Sequence, residues 1–309
     1  MRIQKLRHVI SEIIDNGTDG GWWRDRVRYR GGEVASKLRY GTGGIDVPTM
    51  DWDNLIVLDA CRADLFEETI DTSQFDSYRR VTSQASRTPD WARINWGTRP
   101  HPDTIYVTAN PRVSREVSGR FHKLVNVWES NFDDEDQTVH PKPVTRAACD
   151  AFRSDKRLVV HYIQPHHPFF TVPEFRYDES DWINVSDHGS EVISPWTALK
   201  NGKTTRERVW DAYQTNLHVG ASEALSLASS LPGKTVITSD HGNMVGEWGW
   251  PLPLRIYDHP PEHRYPGLVR VPWATIDGQR RAISDGSIAD TTEIDTDQVD
   301  KQLAALGYK

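Results

Sequence analysis

Five short apolar runs are the feature of this sequence that most constrains its fold. They occupy residues 54–59, 104–108, 157–163, 234–239 and 268–271. The runs are rich in β-branched and other apolar residues, which is typical of strands buried on both faces. Segments with a helical pattern lie between them, at 144–154 and 204–230. This alternation predicts an α/β domain with a mostly parallel central sheet and helices on both faces.

Polar residues follow most of these runs at the point where each strand ends. Asp59 ends the first run, Asn110 stands just beyond the second, and Asp240 directly follows the fourth. The carboxyl ends of parallel strands meet at one edge of a sheet, and open α/β sheets bind their ligands there. The sequence therefore predicts an active site at this edge.

Asp59, Asp240 and His241 are the candidate metal ligands. Two carboxylates brought close together repel each other, and one pKa rises unless a cation lies between them. Mixed oxygen and nitrogen ligands suit manganese, magnesium or zinc, and calcium is less favoured by an imidazole. We therefore expect one divalent metal ion as the cofactor. The alternative is a turn in which Asp240 only caps the segment that follows.

Thr88 is the candidate nucleophile. Pro89 suits the first position of a helix, so that Thr88 would be its N-cap. A hydroxyl at that position can face both a metal ion and the free N–H groups of the helix, which favours an anionic substrate. Metal coordination lowers the pKa of a hydroxyl and allows covalent catalysis without a histidine base. Alternatively, Thr88 only caps the helix, and Ser86 or Ser83 would be the nucleophile.

These motifs, in this order, resemble the sulfatase-like branch of the alkaline phosphatase superfamily over residues 54–309. The resemblance rests on NLIVLDACRADLF, ASRTPDWARINWGTRP, HYIQPHHPF, VITSDHGNMVGE, RVPW and LAALGY. It implies an alkaline-phosphatase-like three-layer sandwich. It also implies that Asp59, Asp240 and His241 bind the metal and that Thr88 is both ligand and nucleophile.

The same resemblance implies further residues at the substrate. His166 is expected to contact it, and Arg62, one turn past Asp59, could hold an anionic oxygen. The Gly-Glu-His-Gly motif of the family reads Gly-Glu-Trp-Gly at 246–249, which removes one expected histidine. Either His259 or His263 would then replace it.

Departures from the family pattern narrow the implied chemistry. Sulfatases that use formylglycine need Cys or Ser in a C/S-x-P-x-R setting, which neither Cys61 nor Cys149 has. Two-metal phosphatases add an Asp-x-x-x-His pair, but here His166 is followed four residues later by Phe170. The pattern of one metal and a threonine is similar to lipoteichoic-acid synthase and the phosphoethanolamine transferases.

The function expected from this pattern is metal-dependent hydrolysis or transfer of a phosphate ester through a covalent threonine intermediate. His166 or His259 would protonate the leaving oxygen. One alternative is a sulfuric ester hydrolase acting on sulfated glycans. Another is a catalytically silent relative that binds an anionic glycan or a protein. A third, a metal-dependent glycosyltransferase, would use Asp295 and Asp297 in the acidic tail.

The chain divides into three parts by composition. We expect a helical, basic N-terminal extension at 1–50, a catalytic domain at 51–276, and an acidic tail at 277–309 whose terminal helix packs on the domain. The extension has nine Lys and Arg against six Asp and Glu, or +3. Its helical stripe from Leu6 to Ile14 either docks on the domain or lets residues 1–30 contact a membrane surface or a protein. A second Ser-Asp-His-Gly, at 186–189, follows a polar segment and is interpreted as a surface loop.

The net charge limits the possible partners, and the cysteine content limits the possible cellular compartment. The net charge is −7 and the pI about 5.9, which argues against a nucleic-acid partner. The substrate that the resemblance implies is a small anionic ester or glycan. Two isolated cysteines favour free thiols in a reducing compartment. With no long apolar run and no signal-peptide pattern, the sequence suggests a cytoplasmic location.

Overall fold

The computed structural model describes residues 20–172, 175, 183–186, 189–192, 194–250, 254–289, 299 and 302. The helices, numbered α1 to α9, are Gly20–Tyr40, Ala63–Thr69, Thr88–Asn95, Pro111–Val117, Trp128–Asn131, Pro141–Ala151, Pro195–Lys200, Arg206–Ser230 and Pro266–Val269. The strands, numbered β1 to β13, are Asn54–Leu58, Ser77–Thr82, His101–Thr108, Phe121–Asn126, Phe132–Asp133, Thr138–Val139, Arg157–Tyr162, Ile183–Ser186, Gly189–Val192, Thr235–Thr238, Met244–Trp248, Arg255–Asp258 and Arg270–Ile276.

Seven strands form the central sheet in the order β2-β13-β10-β1-β7-β3-β4. Strands β10, β1, β7, β3 and β4 pair in parallel. Strand β13 runs antiparallel to both of its neighbours, β10 and β2. Six of the seven strands therefore point the same way, and the predicted mostly parallel sheet is confirmed.

Two apolar layers cover the faces of the sheet. In β1, Ile56 and Leu58 belong to the layer shared with α6 and α8, while Leu55 and Val57 belong to the layer shared with α3 and α4. Every residue of β1 is buried, as a central strand covered on both sides requires. Burying one such side chain contributes roughly 1.5–3 kcal/mol. The result is a helix–sheet–helix sandwich.

The sheet differs from the predicted one at its edges. Strand β13 begins at Arg270, two residues later than expected, and runs antiparallel to β10. Strands β2 and β4 were not predicted. The sequence of β2, SYRRVT, alternates only weakly because its exposed positions are polar. Edge strands commonly carry charged side chains that discourage pairing with other chains, so apolar runs indicate central strands better than edge ones.

Helix α1 lies in the expected N-terminal extension and packs on the segment that follows β12. The hydroxyl oxygen of Ser36 accepts a hydrogen bond from the Arg264 N–H at 3.0 Å, and Lys37 pairs with Glu262 at 2.7 Å. The rings of Tyr29 and His263 lie 4.5 Å apart. Val27 and Leu38 on α1 are exposed. Whether the extension contacts a membrane or a protein stays a prediction.

Several sequence predictions concern residues outside the described part of the chain. These are the helix from Leu6 to Ile14, Asp187 and His188 of the second Ser-Asp-His-Gly, Asp295 and Asp297, and most of the terminal helix. Among the described helices, none is long and apolar enough to cross a membrane.

Candidate metal and nucleophile site

Four buried side chains meet at the carboxyl edge of the sheet. The Thr88 hydroxyl oxygen lies 2.7 Å from Asp240 Oδ2, 3.3 Å from Asp59 Oδ1 and 3.2 Å from His241 Nε2. His241 Nε2 is 3.5 Å from Asp240 Oδ2 and 3.7 Å from Asp59 Oδ1. All four residues are fully buried. Side chains on three separate segments therefore surround one small volume.

The spacing of these atoms fits a divalent metal ion. An ion bound tetrahedrally at roughly 2.0–2.2 Å holds its ligands about 3.3–3.6 Å apart. The separations in this group, 2.7 to 3.7 Å, bracket that range. The ligand atoms of Asp59, Asp240 and His241 lie within 4.8 Å of one another. A cation between the two buried carboxylates would relieve their mutual repulsion, so the donor set fits the expected ion.

Hydrogen bonds outside the group orient its members. His241 Nδ1 donates to the Gly242 carbonyl at 3.0 Å, so the lone pair of Nε2 faces the group. Asp240 Oδ1 accepts from the N–H groups of Ala60 and His241, both at 2.9 Å, which leaves Oδ2 for a ligand. Both residues are thus held in the tautomer and rotamer that metal binding needs.

The chain is strained where it leaves β1. Ala60 has a φ of +59°, in the left-handed region that costs a residue with a side chain roughly 1–2 kcal/mol. The Ala60 carbonyl accepts a hydrogen bond from the Tyr213 hydroxyl, and the Cys61 N–H donates to Ser239 Oγ at 2.8 Å. These contacts tie the end of β1 to the end of β10. Strain of this kind is typical of functional sites.

Thr88 begins α3, one residue earlier than the sequence predicts, so Arg87 rather than Thr88 is the N-cap. The hydroxyl of Thr88 contacts Asp59, Asp240 and His241, which does not match the capping alternative. The fallback nucleophiles are engaged elsewhere. Ser83 donates to the Asp240 carbonyl, and Ser86 donates to the Pro260 carbonyl at 2.9 Å.

Of the two histidines proposed as replacements, the structure brings His259 to the site. Its ring centre lies 4.9 Å from that of His241 and 5.4 Å from that of His166. His259 Nδ1 is 2.5 Å from Asp258 Oδ1. His263 instead packs against Tyr29 of α1, so it lies on the side of the domain that faces the extension.

The environments of His166 and His259 push their pKa values apart. Burial, helped by the charge of neighbouring His167, lowers the pKa of His166 to about 3. Burial alone would also lower the pKa of His259, but the charge and hydrogen bond of Asp258 and the charge of Asp59 together outweigh it, and the net pKa is raised. Near neutral pH, His166 is therefore a neutral imidazole and a poor proton donor. His259 is the better candidate for the general acid.

Arg62 lies in a different set of contacts from the one expected. Its guanidinium pairs with Asp64 at 2.6 Å and with Glu247 at 2.5 Å, and it donates to the Asn243 carbonyl at 2.9 Å. Two carboxylates thus neutralise it, and it ties the start of α2 to β11. The geometry does not favour Arg62 as the holder of an anionic substrate oxygen.

Two further side chains reach the group that the sequence did not single out. Asn110, beyond the end of β3, donates from Nδ2 to Asp59 Oδ2 at 2.6 Å. His161, inside β7, has its Nε2 3.6 Å from the same oxygen. Asn110 follows the rule of polar residues at strand ends. The signal for His161 is a single imidazole within an otherwise apolar strand interior.

A cleft of about 540 Å³ borders the group on the side of His259. Its walls carry three arginines, Arg87, Arg93 and Arg112, together with Asp258 and His259. Asp90 pairs with Arg87 at 2.9 Å and also with Arg93. Glu116 also lines the cleft, 3.8 Å from Arg93, so three guanidiniums and three carboxylates balance in formal charge. The guanidiniums are the groups in this wall that could hold an anionic ligand.

The described residues form a mixed α/β domain with a mostly parallel central sheet flanked by helices, as the sequence predicts. No protein-family model matches the chain, and no curated protein sequence matches it. Solved structures do match.

The soluble domain of lipooligosaccharide phosphoethanolamine transferase A from Neisseria meningitidis is 13% identical, with a TM-score of 0.50 over 73% of this chain and 76% of that one. The full-length integral membrane transferase is 12% identical, with a TM-score of 0.51 over 90% of this chain and 59% of that one. This chain thus spans about three fifths of the full-length protein.

Two other solved proteins resemble the chain less closely. The periplasmic domain of EptC from Escherichia coli, in complex with zinc, is 14% identical over 77% of this chain and 76% of that one, with a TM-score of 0.42. An alkaline phosphatase superfamily protein from Vibrio parahaemolyticus is 14% identical over 84% and 70%, with a TM-score of 0.37. The likeness to the two transferase structures, with TM-scores of 0.50 and 0.51, shows the fold alone.

The cytoplasmic location suggested by the sequence is wrong when set against these structures. The two structures that share the fold are an integral membrane transferase and the soluble domain of that transferase. Both cysteines are free, with Cys61 buried and Cys149 exposed, but a free thiol does not by itself identify a compartment. The absence of a long apolar run did not support the prediction either. It bears on whether a segment can cross a membrane, and not on the compartment in which the protein resides.

Proposed function

We propose that this protein is a metal-dependent phosphoric ester hydrolase or phosphotransferase that works through a covalent intermediate on Thr88. The observation that carries the proposal is the position of the Thr88 hydroxyl. It lies within 3.4 Å of two buried carboxylates and one imidazole, and it starts a helix. A hydroxyl that only stabilised the fold would not need three ionisable groups around it.

The residues divide the chemistry between them. A divalent cation bound by Asp59, Asp240, His241 and Thr88 would lower the pKa of the hydroxyl and neutralise charge on the transferring group. The Thr88 oxygen attacks phosphorus, and the bond between phosphorus and the leaving oxygen breaks. His259, held as an imidazolium by Asp258, gives that oxygen its proton.

The second half of the reaction reverses these roles. His259, now neutral, takes a proton from water or from an acceptor hydroxyl. The resulting oxygen attacks phosphorus and displaces Thr88, which restores the starting enzyme. Water gives hydrolysis, and an acceptor hydroxyl gives transfer. The first structural neighbours are named as phosphoethanolamine transferases of lipooligosaccharide, so a phosphate ester carried by a lipid or glycan is the substrate class we propose.

The test is a comparison of three nitrophenyl esters in the presence of manganese or zinc. We expect turnover of p-nitrophenyl phosphate or bis-p-nitrophenyl phosphate and little turnover of p-nitrophenyl sulfate. Thr88→Ala should reduce turnover by at least roughly 10³-fold, as loss of a nucleophile does, and should leave weaker metal binding measurable. Thr215→Ala, on the exposed face of α8, is the matched control. Activity unchanged in Thr88→Ala would remove Thr88 from the mechanism.

The alternatives predict other outcomes of the same experiment. Preferred turnover of the sulfate would identify a sulfuric ester hydrolase that works without formylglycine. Purified protein that takes up no divalent ion would favour a catalytically silent relative that binds an anionic glycan or a protein.

A further inference from the structure

We propose that His161 is an additional protein ligand of the metal ion, supplied by the middle of the sheet. The inference rests on the proposed metal site and deepens it. Nothing in the motif pattern points to this residue, because it lies inside β7 rather than at its end.

The first observation is the direction of the imidazole. His161 is fully buried, and its Nε2 lies 3.6 Å from Asp59 Oδ2 and 4.0 Å from Asp240 Oδ2. Both separations exceed hydrogen-bond length. Among the residues that the structure describes, Nε2 has no hydrogen-bond partner. A buried polar nitrogen without a partner is costly and calls for an explanation.

The second observation is that the ring is fixed in place. Its other nitrogen, Nδ1, is hydrogen-bonded to the Tyr106 hydroxyl at 3.0 Å. The indole of Trp91 packs edge-on against it, with ring centres 5.8 Å apart. Side-chain alternation along β3 and β7 places Tyr106 and His161 on the same face of the sheet. Metal-binding histidines are commonly oriented through the second nitrogen in this way.

The third observation is how the oxygens are shared. Asp59 Oδ1 faces His241, while Asp59 Oδ2 faces His161. Asp240 Oδ2 lies between the two imidazoles, 3.5 Å from His241 Nε2 and 4.0 Å from His161 Nε2. An ion among these oxygens can bind a nitrogen from each side. A second imidazole disfavours magnesium, which prefers an all-oxygen shell, and favours zinc or manganese.

The experiment uses Co²⁺ as the probe, because its visible absorption depends on coordination number. His161→Asn keeps a donor where Nδ1 stood and removes Nε2, while His161→Gln keeps a ligand atom near Nε2. We expect His161→Asn to change the Co²⁺ spectrum and weaken Co²⁺ binding by more than the roughly 10–100-fold loss of an outer partner. His161→Gln should recover part of both.

His101→Asn is the matched control. His101 is also a buried imidazole whose Nε2 has no hydrogen-bond partner in the described part of the chain, but it begins β3, at the opposite edge of the sheet. It should change neither the spectrum nor the affinity. A His161→Asn protein with the spectrum of the unmodified protein and the same affinity would overturn the inference.

A measurement on the unmodified protein covers the case in which His161→Asn does not fold. X-ray absorption of the zinc-loaded protein counts imidazole ligands, and we expect two. One imidazole would overturn the role of His161 while leaving the metal site intact. Failure of the protein to bind any ion would instead overturn the proposed function, so the two failures are distinguishable.

Discussion

At the scale of single residues, neighbouring histidines of the site have pKa values shifted in opposite directions. Asp258 has a φ of +62°, a conformation that aspartate tolerates better than most residues, and its carboxylate contacts His259. This contact raises the pKa of His259, whereas burial keeps His166 neutral. Two histidines with ring centres 5.4 Å apart thus have pKa values shifted in opposite directions.

Asp258→Asn tests the role of this pair. Asparagine tolerates the same backbone conformation but carries no charge, so the pKa of His259 should fall. A general acid with a lower pKa loses its proton at lower pH, and the alkaline limb of the kcat profile should move to lower pH. Stopped assays across the pH range measure this limb. An unmoved alkaline limb would assign the general acid to another group.

At the scale of secondary structure elements, the ends of β1 and β10 bring two carboxylates together without exposure to water. Asp59→Asn should therefore stabilise the metal-free protein by about 1–3 kcal/mol, the usual cost of a buried group left uncompensated. The same change should abolish the rise in melting temperature that zinc or manganese gives the unmodified protein. Thermal unfolding with and without EDTA measures both effects.

The control for this change is Asp53→Asn. Asp53 is equally buried, but it lies just before β1, at the other edge of the sheet, where it pairs with Arg280 at 2.9 Å. Its charge is already compensated, so its removal should destabilise the protein with or without metal. If Asp59→Asn behaved in the same way, the two carboxylates of the site would not be facing each other.

The sequence predicts the central strands better than the edge strands because the two kinds of strand differ in how many of their residues are buried. Strands β1, β7 and β10 are covered on both faces and are therefore continuous apolar runs that any reading of hydrophobicity finds. Strand β2 is exposed on much of its surface and carries arginines. Its place in the sheet depends on pairing with β13, nearly two hundred residues later, which no local pattern records.

The same distinction applies to the site. Asp59, Thr88, Asp240 and His241 stand at the ends of strands or the start of a helix, where a polar residue is conspicuous. The contact of Asp258 with His259, and the neutralisation of Arg62 by Asp64 and Glu247, depend on loops whose paths the sequence does not specify. Distances between such loops are set by packing of the whole domain.

At the scale of the whole molecule, elements from distant parts of the chain build the cleft beside the site. Tyr29 of α1, Arg87 before α3, Arg112 of α4 and Pro260 beyond β12 all line it. Although the chain has a net charge of −7, this wall brings three arginines together, with three carboxylates among them. The N-terminal extension therefore helps to form the cleft as well as packing on the domain.

Arg87→Gln tests this view of the cleft. Arg87 is partly exposed, and its partner Asp90 keeps a second ion pair with Arg93. We expect KM for an anionic ester to rise by up to about fivefold, the scale of an exposed charge pair, with kcat little changed. Arg153→Gln, a solvent-exposed arginine before β7, is the control. A loss confined to kcat would contradict a role in substrate capture.

The central claim is that Asp59, Thr88, Asp240 and His241, which lie far apart in the chain, bind one divalent metal ion. A crystal structure of the protein soaked with manganese or zinc, with the ion located by anomalous scattering, tests it most directly. The account predicts an ion about 2.0–2.3 Å from Asp59, Asp240, His241 and the Thr88 hydroxyl. An ion bound elsewhere, or none between Asp59 and Asp240, would contradict it.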